Sequence, residues 1–234
     1  EEEESYEMPE DADAKQKRHR FKGLNELELK TALAEDRTGY AAALQAMVMS
    51  HKARNADVQA KAARALTQIF YHNAEERPDL NEEMYNNGAV AHLFSALTGP
   101  FNSFKVQANG IEALLLFRRL KSEAANRAVQ AHLGKAVKPC LTAMRDFVAK
   151  ADVQEPALKL LAHCMLASIE DRTENASAEM WWEGGVTTVL TSMRNHHSSA
   201  VINEWALECL HAMPYSVPLK KQARLSLPLS LSLP

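Results

Sequence analysis

No run in the 234-residue chain reaches about 18 consecutive apolar side chains, so no segment is predicted to span a bilayer. A surplus of basic charge is also missing. The formal net charge is -3, and without clustered Lys and Arg in excess the chain is not expected to bind nucleic acid or a membrane surface in general. Cysteine is scarce, with Cys140, Cys164 and Cys209 far apart in the sequence. The last two fall on apolar helix faces, where a thiol behaves as a small hydrophobe, which predicts reduced core cysteines in a reducing compartment. There is no phosphate loop, nucleophile elbow or paired-cysteine metal spacing. An enzyme, a cofactor and a small-molecule substrate are therefore not expected. No secretory signal is visible after Glu1.

What the chain has instead is repetition. In Val58 to Tyr71 the apolar residues Val58, Ala62, Ala65, Leu66 and Ile69 fall at i, i+4, i+7, i+8 and i+11, one face of a helix. The spacing returns as Val106, Gly110, Ala113, Leu114, Phe117, then as Val153, Ala157, Leu160, Leu161, Cys164, and again as Ile202, Ala206, Cys209, Leu210, Met213. These starts lie roughly 48 residues apart, at the long end of the periods of two- and three-helix repeats. A second register advances with the first. A break at Thr38-Gly39 precedes a helix from Tyr40 to about Met49, and Gly88, Lys135 and Gly184 open AVAHLFSAL, AVKPCLTAM and GVTTVLTSM.

A third element completes the unit. Asp79, Asn126 and Asn175 each stand nine residues before an opening position, and Asp and Asn cap helix N-termini because their side-chain oxygens accept from free first-turn N–H groups. Repeat one carries Lys30 there, which fits a worn terminal repeat after a helical pattern beginning at Leu24. Trp181 and Trp182 precede Gly184 where Met84 and Tyr85 stand near Gly88, so at least one is expected in the core. His196 and His197 share a loop whose counterpart in repeat one holds His51, but three repeat steps of about 10 Å separate them. Solvated loop histidines and no metal site are expected.

These residues resemble the armadillo-repeat family and, more broadly, HEAT-like solenoids. VQAKAARAL (Val58–Leu66) and VQANGIEAL (Val106–Leu114) are similar to the family's third-helix signature. NNGAVAHLFSAL (Asn86–Leu97) is similar to its glycine-led second helix, and Pro139 stands where the family often places a proline. The likeness covers about Gly39 to Met213, with Ile202-Asn203 a looser match. It implies an all-α, right-handed armadillo-like superhelix of about four helical repeats, with long third helices lining a concave groove that holds an extended peptide. Offset three from each long-helix start gives Lys61, Asn109, Pro156 and Trp205; offset six gives Arg64, Glu112, Lys159 and Glu208; offset ten gives Gln68, Leu116, His163 and Ala212. The family's import receptors carry Trp at offset six and Asn at offset ten. That ladder is absent here, which argues against import-signal binding. The offset-six row alternates in sign, so neighbouring repeats are expected either to pair across it or to read a partner's charge pattern.

The resulting division is a charged leader over 1–22, a repeat domain over 23–213 and a Pro/Leu/Ser-rich tail over 214–234, where Pro214 is expected to stop the last helix. The leader's composition predicts disorder, and its basic run, Lys15 to Arg20, is a candidate nuclear address. No polar capping helix is evident, so the apolar face of the C-terminal repeat is expected to meet either further chain or a docked partner, end-to-end docking included. The sequence therefore predicts a non-catalytic interaction module, a scaffold or adaptor, in the cytoplasm or nucleus of a eukaryotic cell. Its groove residues would be Lys61, Arg64, Gln68, Asn109, Glu112, Leu116, Lys159, His163, Trp205 and Glu208. The alternative is a fixed subunit of a cytoskeletal, ciliary or organellar assembly that uses its ends and convex face.

Overall fold

Each of the four Val- or Ile-led stretches becomes a long helix because its apolar stripe has a partner stripe to meet. A computed structural model describes residues 37–73, 78–118, 120, 129, 132–170 and 175–216. Its helices are α1 (Arg37–Ala53), α2 (Ala56–Asn73), α3 (Pro78–Asn86), α4 (Ala89–Thr98), α5 (Phe104–Phe117), α6 (Val137–Asp146), α7 (Ala151–Glu170), α8 (Asn175–Trp182), α9 (Gly185–Asn195) and α10 (Ala200–Ser216). The described residues form no strand. The long helices pack in series, α2 on α5, α5 on α7 and α7 on α10. Each is backed by the helix before it: α1 on α2, α4 on α5, α6 on α7 and α9 on α10.

One continuous core runs through all of them, built from the residues the 3.6 period selects. Leu66, Ile69, Val106, Leu114, Phe117, Val153, Leu160, Leu161, Ile202 and Cys209 are all buried. Leu210 is half-buried and Val58 is 39 % exposed. It lies in the first turn of α2, whose N-terminus is capped by Asn55 Oδ1 accepting from Val58 N–H at 3.2 Å. The row four residues on is small throughout, with Ala62, Gly110, Ala157 and Ala206. At Gly110 the reason is close approach, since a Cβ there would stand 2.9 Å from Leu97 Cδ2 of α4.

The opening positions differ according to whether glycine is present. Gly88 and Gly184 adopt φ of 82° and 71°, a left-handed conformation that costs glycine little and other residues more. Lys135 stands at the third such place, and there the chain takes a right-handed path, a 3-10 turn over Gly134–Ala136 running directly into α6. Gly39 makes no break, because α1 begins at Arg37 and already contains it. Asp79 lies one residue inside α3, whose first residue is Pro78; a first-turn proline has no N–H to leave unpaired. Asn175 is likewise the first residue of α8. Pro214 does not stop α10, which runs to Ser216; near a C-terminus, proline removes one hydrogen bond while its fixed φ still suits a helix. The leader, the Leu24 helix, the Asn126 cap and the tail beyond Ser216 lie outside the described residues.

A set of amide pins is formed by the fourth residue of each long helix. Gln107 Nε2 donates to Leu97 O at 3.2 Å, and Gln154 Nε2 donates to Met144 O and Phe147 O at 3.0 Å each. Asn203 Nδ2 donates to His197 O at 3.0 Å and Ser199 O at 2.8 Å. In the first repeat, Gln59 Oε1 instead accepts from Ser50 Oγ. In the second and third repeats the pin satisfies carbonyls that a helix C-terminus leaves without partners, and so ties each backing helix to the long helix that follows. Neighbouring loops also touch. His51 stacks edge-on against Phe101 with centroids 5.4 Å apart, and His196 Nε2 bonds Val148 O at 2.8 Å. Neither of these two histidines is a solvated loop residue, because each is half-buried against the next or preceding repeat.

All three cysteines are buried free thiols. Burial pushes the Cys164 thiol up to about 12 from an ordinary value of 9.0, and it raises Cys140 and Cys209 as well. Cys164 Sγ donates to Leu133 O and Cys209 Sγ to Leu158 O, both at 3.2 Å. The sign follows from the raised folded pKa. The contribution is full below about pH 9, where the unfolded thiol keeps its proton, and is lost as pH rises towards about 12. Chemical denaturation between pH 8 and 11 is expected to show stability falling steadily with pH. Replacing Cys164 by Ala should flatten that slope in part, and an unchanged slope would remove Cys164 as a source of it.

Candidate functional site

Along the exposed side of the long helices, α2, α5 and α7 enclose a groove of about 1050 Å³ closed at one end by Trp205 of α10. Nine of the ten sequence-predicted residues line it: Lys61, Arg64, Gln68, Asn109, Glu112, Leu116, Lys159, His163 and Trp205. Glu208 does not, although it is exposed. Leu116 offers little surface at 3 % exposure and forms floor rather than wall, and Ala212 at 2 % is core. Pro156 also lines the groove, from inside α7. It has no N–H to give the carbonyl of Asp152 four residues back.

Several predicted residues already have work inside the fold. Asn109 Nδ2 donates to Ala60 O at 2.8 Å, a strut from α5 to α2. Lys159 pairs with Glu155, one turn back on its own helix, rather than reaching across to a neighbouring repeat. The same ammonium lies 5.9 Å from the centroid of the Trp205 ring, within cation–π range. His163 meets that ring edge-on, with centroids 5.4 Å apart at 61°. Trp205 is half-buried and packed against the core, with part of its ring left to the groove. Two residues of α7, Lys159 and His163, thus hold the indole of the next repeat in place.

The groove also contains residues the offset rows did not select. Asp57, Lys105 and Asp152 stand one residue before the Val positions, and Glu155, Tyr71 and Arg118 join them. The signal was available, because offset -1 lies one helical turn from offset three and shares its face. With them the lining carries five cationic side chains and four carboxylates. That near balance suits a partner with charges of both signs. The volume lies at the upper edge of the range for small-ligand pockets, about 300–1,000 Å³.

One expectation fails outright. Trp181 is 47 % and Trp182 78 % exposed, and the core position belongs to Met180, fully buried like Met84. Counted back from the glycines, Met180 matches Met84 and Trp181 matches Tyr85, so the tryptophans stand one and two places past the core register. Among the described residues no group of three His, Cys, Asp or Glu is arranged to hold a metal, and no helix is long and apolar enough to cross a membrane. Compared with protein-family models, curated proteins and solved structures, the chain matches none of them.

Proposed function

We propose that the chain is an armadillo-like α-solenoid, a right-handed stack of about four repeats, that acts as a non-catalytic scaffold or adaptor. An extended segment of a partner protein would lie along its groove. The observation that carries this reading is convergence: positions chosen by one repeating offset rule, from all four repeats, line a single groove with a fixed indole at its end. Mixed charge along the walls favours specificity by pattern over bulk attraction, and a half-buried Trp is a side chain of the type enriched among binding hot spots.

Selection of a displayed dodecapeptide library on the wild-type chain, followed by fluorescence anisotropy of the enriched peptides, tests this. Trp205→Ala combined with Arg64→Glu should weaken enriched peptides by tenfold or more, consistent with loss of a hot spot of about 2 kcal/mol. Helical circular dichroism should stay unchanged. Peptides that bind the double variant as well as the wild type, or a selection that enriches nothing, would overturn the groove reading. The fixed-subunit alternative draws on a different observation, the tryptophan pair exposed at the end of α8.

A further inference from the structure

The long helices pack in series, and α10 has no successor among the described residues. Offset five of each long helix records the difference. Ala63, Ile111 and Leu158 are all 0 % exposed there, whereas Leu207 of α10 is 58 % exposed. This side of a long helix faces the next one: Ala60 O accepts from Asn109 of the following helix, and Leu158 O from Cys209. The backing helix repeats the pattern. Leu190 of α9 is 37 % exposed where Leu141 of α6 is fully buried, and Val186 and Met193 are half-buried where Val137 and Met144 are buried. The end of the stack is thus built like an internal interface, and a terminal repeat needs cover over such a face.

Charge narrows what that cover is made of. Glu204 and Glu208 flank Leu207, are exposed, and form no ion pair among the described residues. Four residues apart, they are neighbours on the helix surface. Glu204 stands where the first two repeats bury Ala60 and Ala108, so a further repeat of the same build would bury a carboxylate without a partner, at a cost. The occupant therefore has to bring cations as well as apolar side chains. The chain supplies both directly after α10. The 18 residues that follow Ser216 contain Lys220, Lys221 and Arg224, no carboxylate, and then Leu225, Leu227, Leu229, Leu231 and Leu233 at alternate positions. Such alternation puts the leucines on one side of an extended chain. The reach is sufficient. Leu207 lies about 14 Å before Ser216 along the helix axis, and residues 217–224 span up to about 26 Å when extended.

We propose that residues 217–234 turn back over α9 and α10 and cap the last repeat of the same chain. The leucines of 225–233 cover Leu207 and Leu190, and Lys220, Lys221 and Arg224 meet Glu204 and Glu208. Removing apolar side chains from water and pairing the two carboxylates both favour closure, and the covalent tether makes it independent of protein concentration. The assignment rests on the serial packing of the long helices and not on what the groove binds.

Paramagnetic relaxation in the full chain tests it. Ser230→Cys carries a nitroxide on the serine side of the leucine run, while Cys140, Cys164 and Cys209 are buried and stay unlabelled. The amide signals of α9 and α10 should be lost, and those of α2, at the other end of the stack, should persist. Leu207→Asp, or Glu204→Lys together with Glu208→Lys, should bring the lost signals back with helical circular dichroism unchanged. When the nitroxide chain is mixed with an isotope-enriched chain that carries no label, the enriched chain should keep all its signals. The proposal is overturned if the α9 and α10 signals survive in the labelled chain, or if both sets of substitutions leave them lost. It is overturned as well if the loss appears in the mixture, which would make the occupant a second copy.

Discussion

Phe117→Ala is expected to cost about 3–5 kcal/mol, the range for deleting a buried aromatic ring. Phe117 closes α5 at 1 % exposure, and its ring meets Phe70 of α2 edge-on with centroids 5.4 Å apart. The substitution removes an apolar payload and a ring pair worth about 0.5–1.5 kcal/mol beyond its area. It does so at the α2–α5 interface, one of the main helix-to-helix contacts of the chain. A chain of serially packed repeats depends on its interfaces, so the loss should fall on the coupling between the first two repeats. Urea denaturation followed by circular dichroism should show a lower midpoint, and hydrogen exchange should show α1 and α2 opening first. Tyr71→Ala, on the same helix at 54 % exposure, should stay within about 0.5 kcal/mol of wild type. Two variants of equal stability would mean that the aromatic pair does not couple α2 to α5.

Gln154→Met is the second large effect. The thioether matches the length of the amide but donates nothing, so the carbonyls of Met144 and Phe147 both lose the side chain that now reaches them. A buried polar group left without a partner costs about 1–3 kcal/mol. Phe147 O keeps the N–H of Lys150 at 2.9 Å, so most of the loss should come from Met144 O. Asn203→Leu breaks the corresponding pin in the last repeat, but Asn203 is half-exposed and water can replace its amide. That loss should stay below about 1 kcal/mol. Thermal denaturation of both variants checks the order, and a reversal would show that burial does not set the strength of these pins.

The pins also show why some of the fold was legible and some was not. Leu66, Leu114 and Leu161 are core because the helical period makes them so, and that period is written in the sequence. Gln59, Gln107 and Gln154 recur in the same register, yet a repeated glutamine reads equally as a solvated face. Only the backing helix ending beside each amide makes it buried, a donor at Gln107 and Gln154 and an acceptor at Gln59. Nine groove residues were selectable because one offset rule applies to every repeat. The rule could not tell Leu116, sunk into the floor, from Gln68, half-exposed on the wall, because both occupy offset ten. Trp181 and Trp182 differ for another reason: they stand before Gly184 only roughly as Met84 and Tyr85 stand before Gly88, and the register counted residue by residue assigns the core to Met180.

The sequence by itself determined that the chain is helical, where its long helices lie and which stripe of each is buried, since periodic apolar residues can satisfy water in only one backbone geometry. It also located the openings of α4 and α9 at Gly88 and Gly184, although not their left-handed backbone. Tertiary structure alone decided which polar groups find partners. Lys159 takes Glu155 on its own helix, Asn109 reaches Ala60 O, and the buried Gln107 Oε1 finds no partner. Hydrogen bonds and charges act over a few ångströms between helices tens of residues apart. Their outcome depends on distances that no pattern along the chain contains.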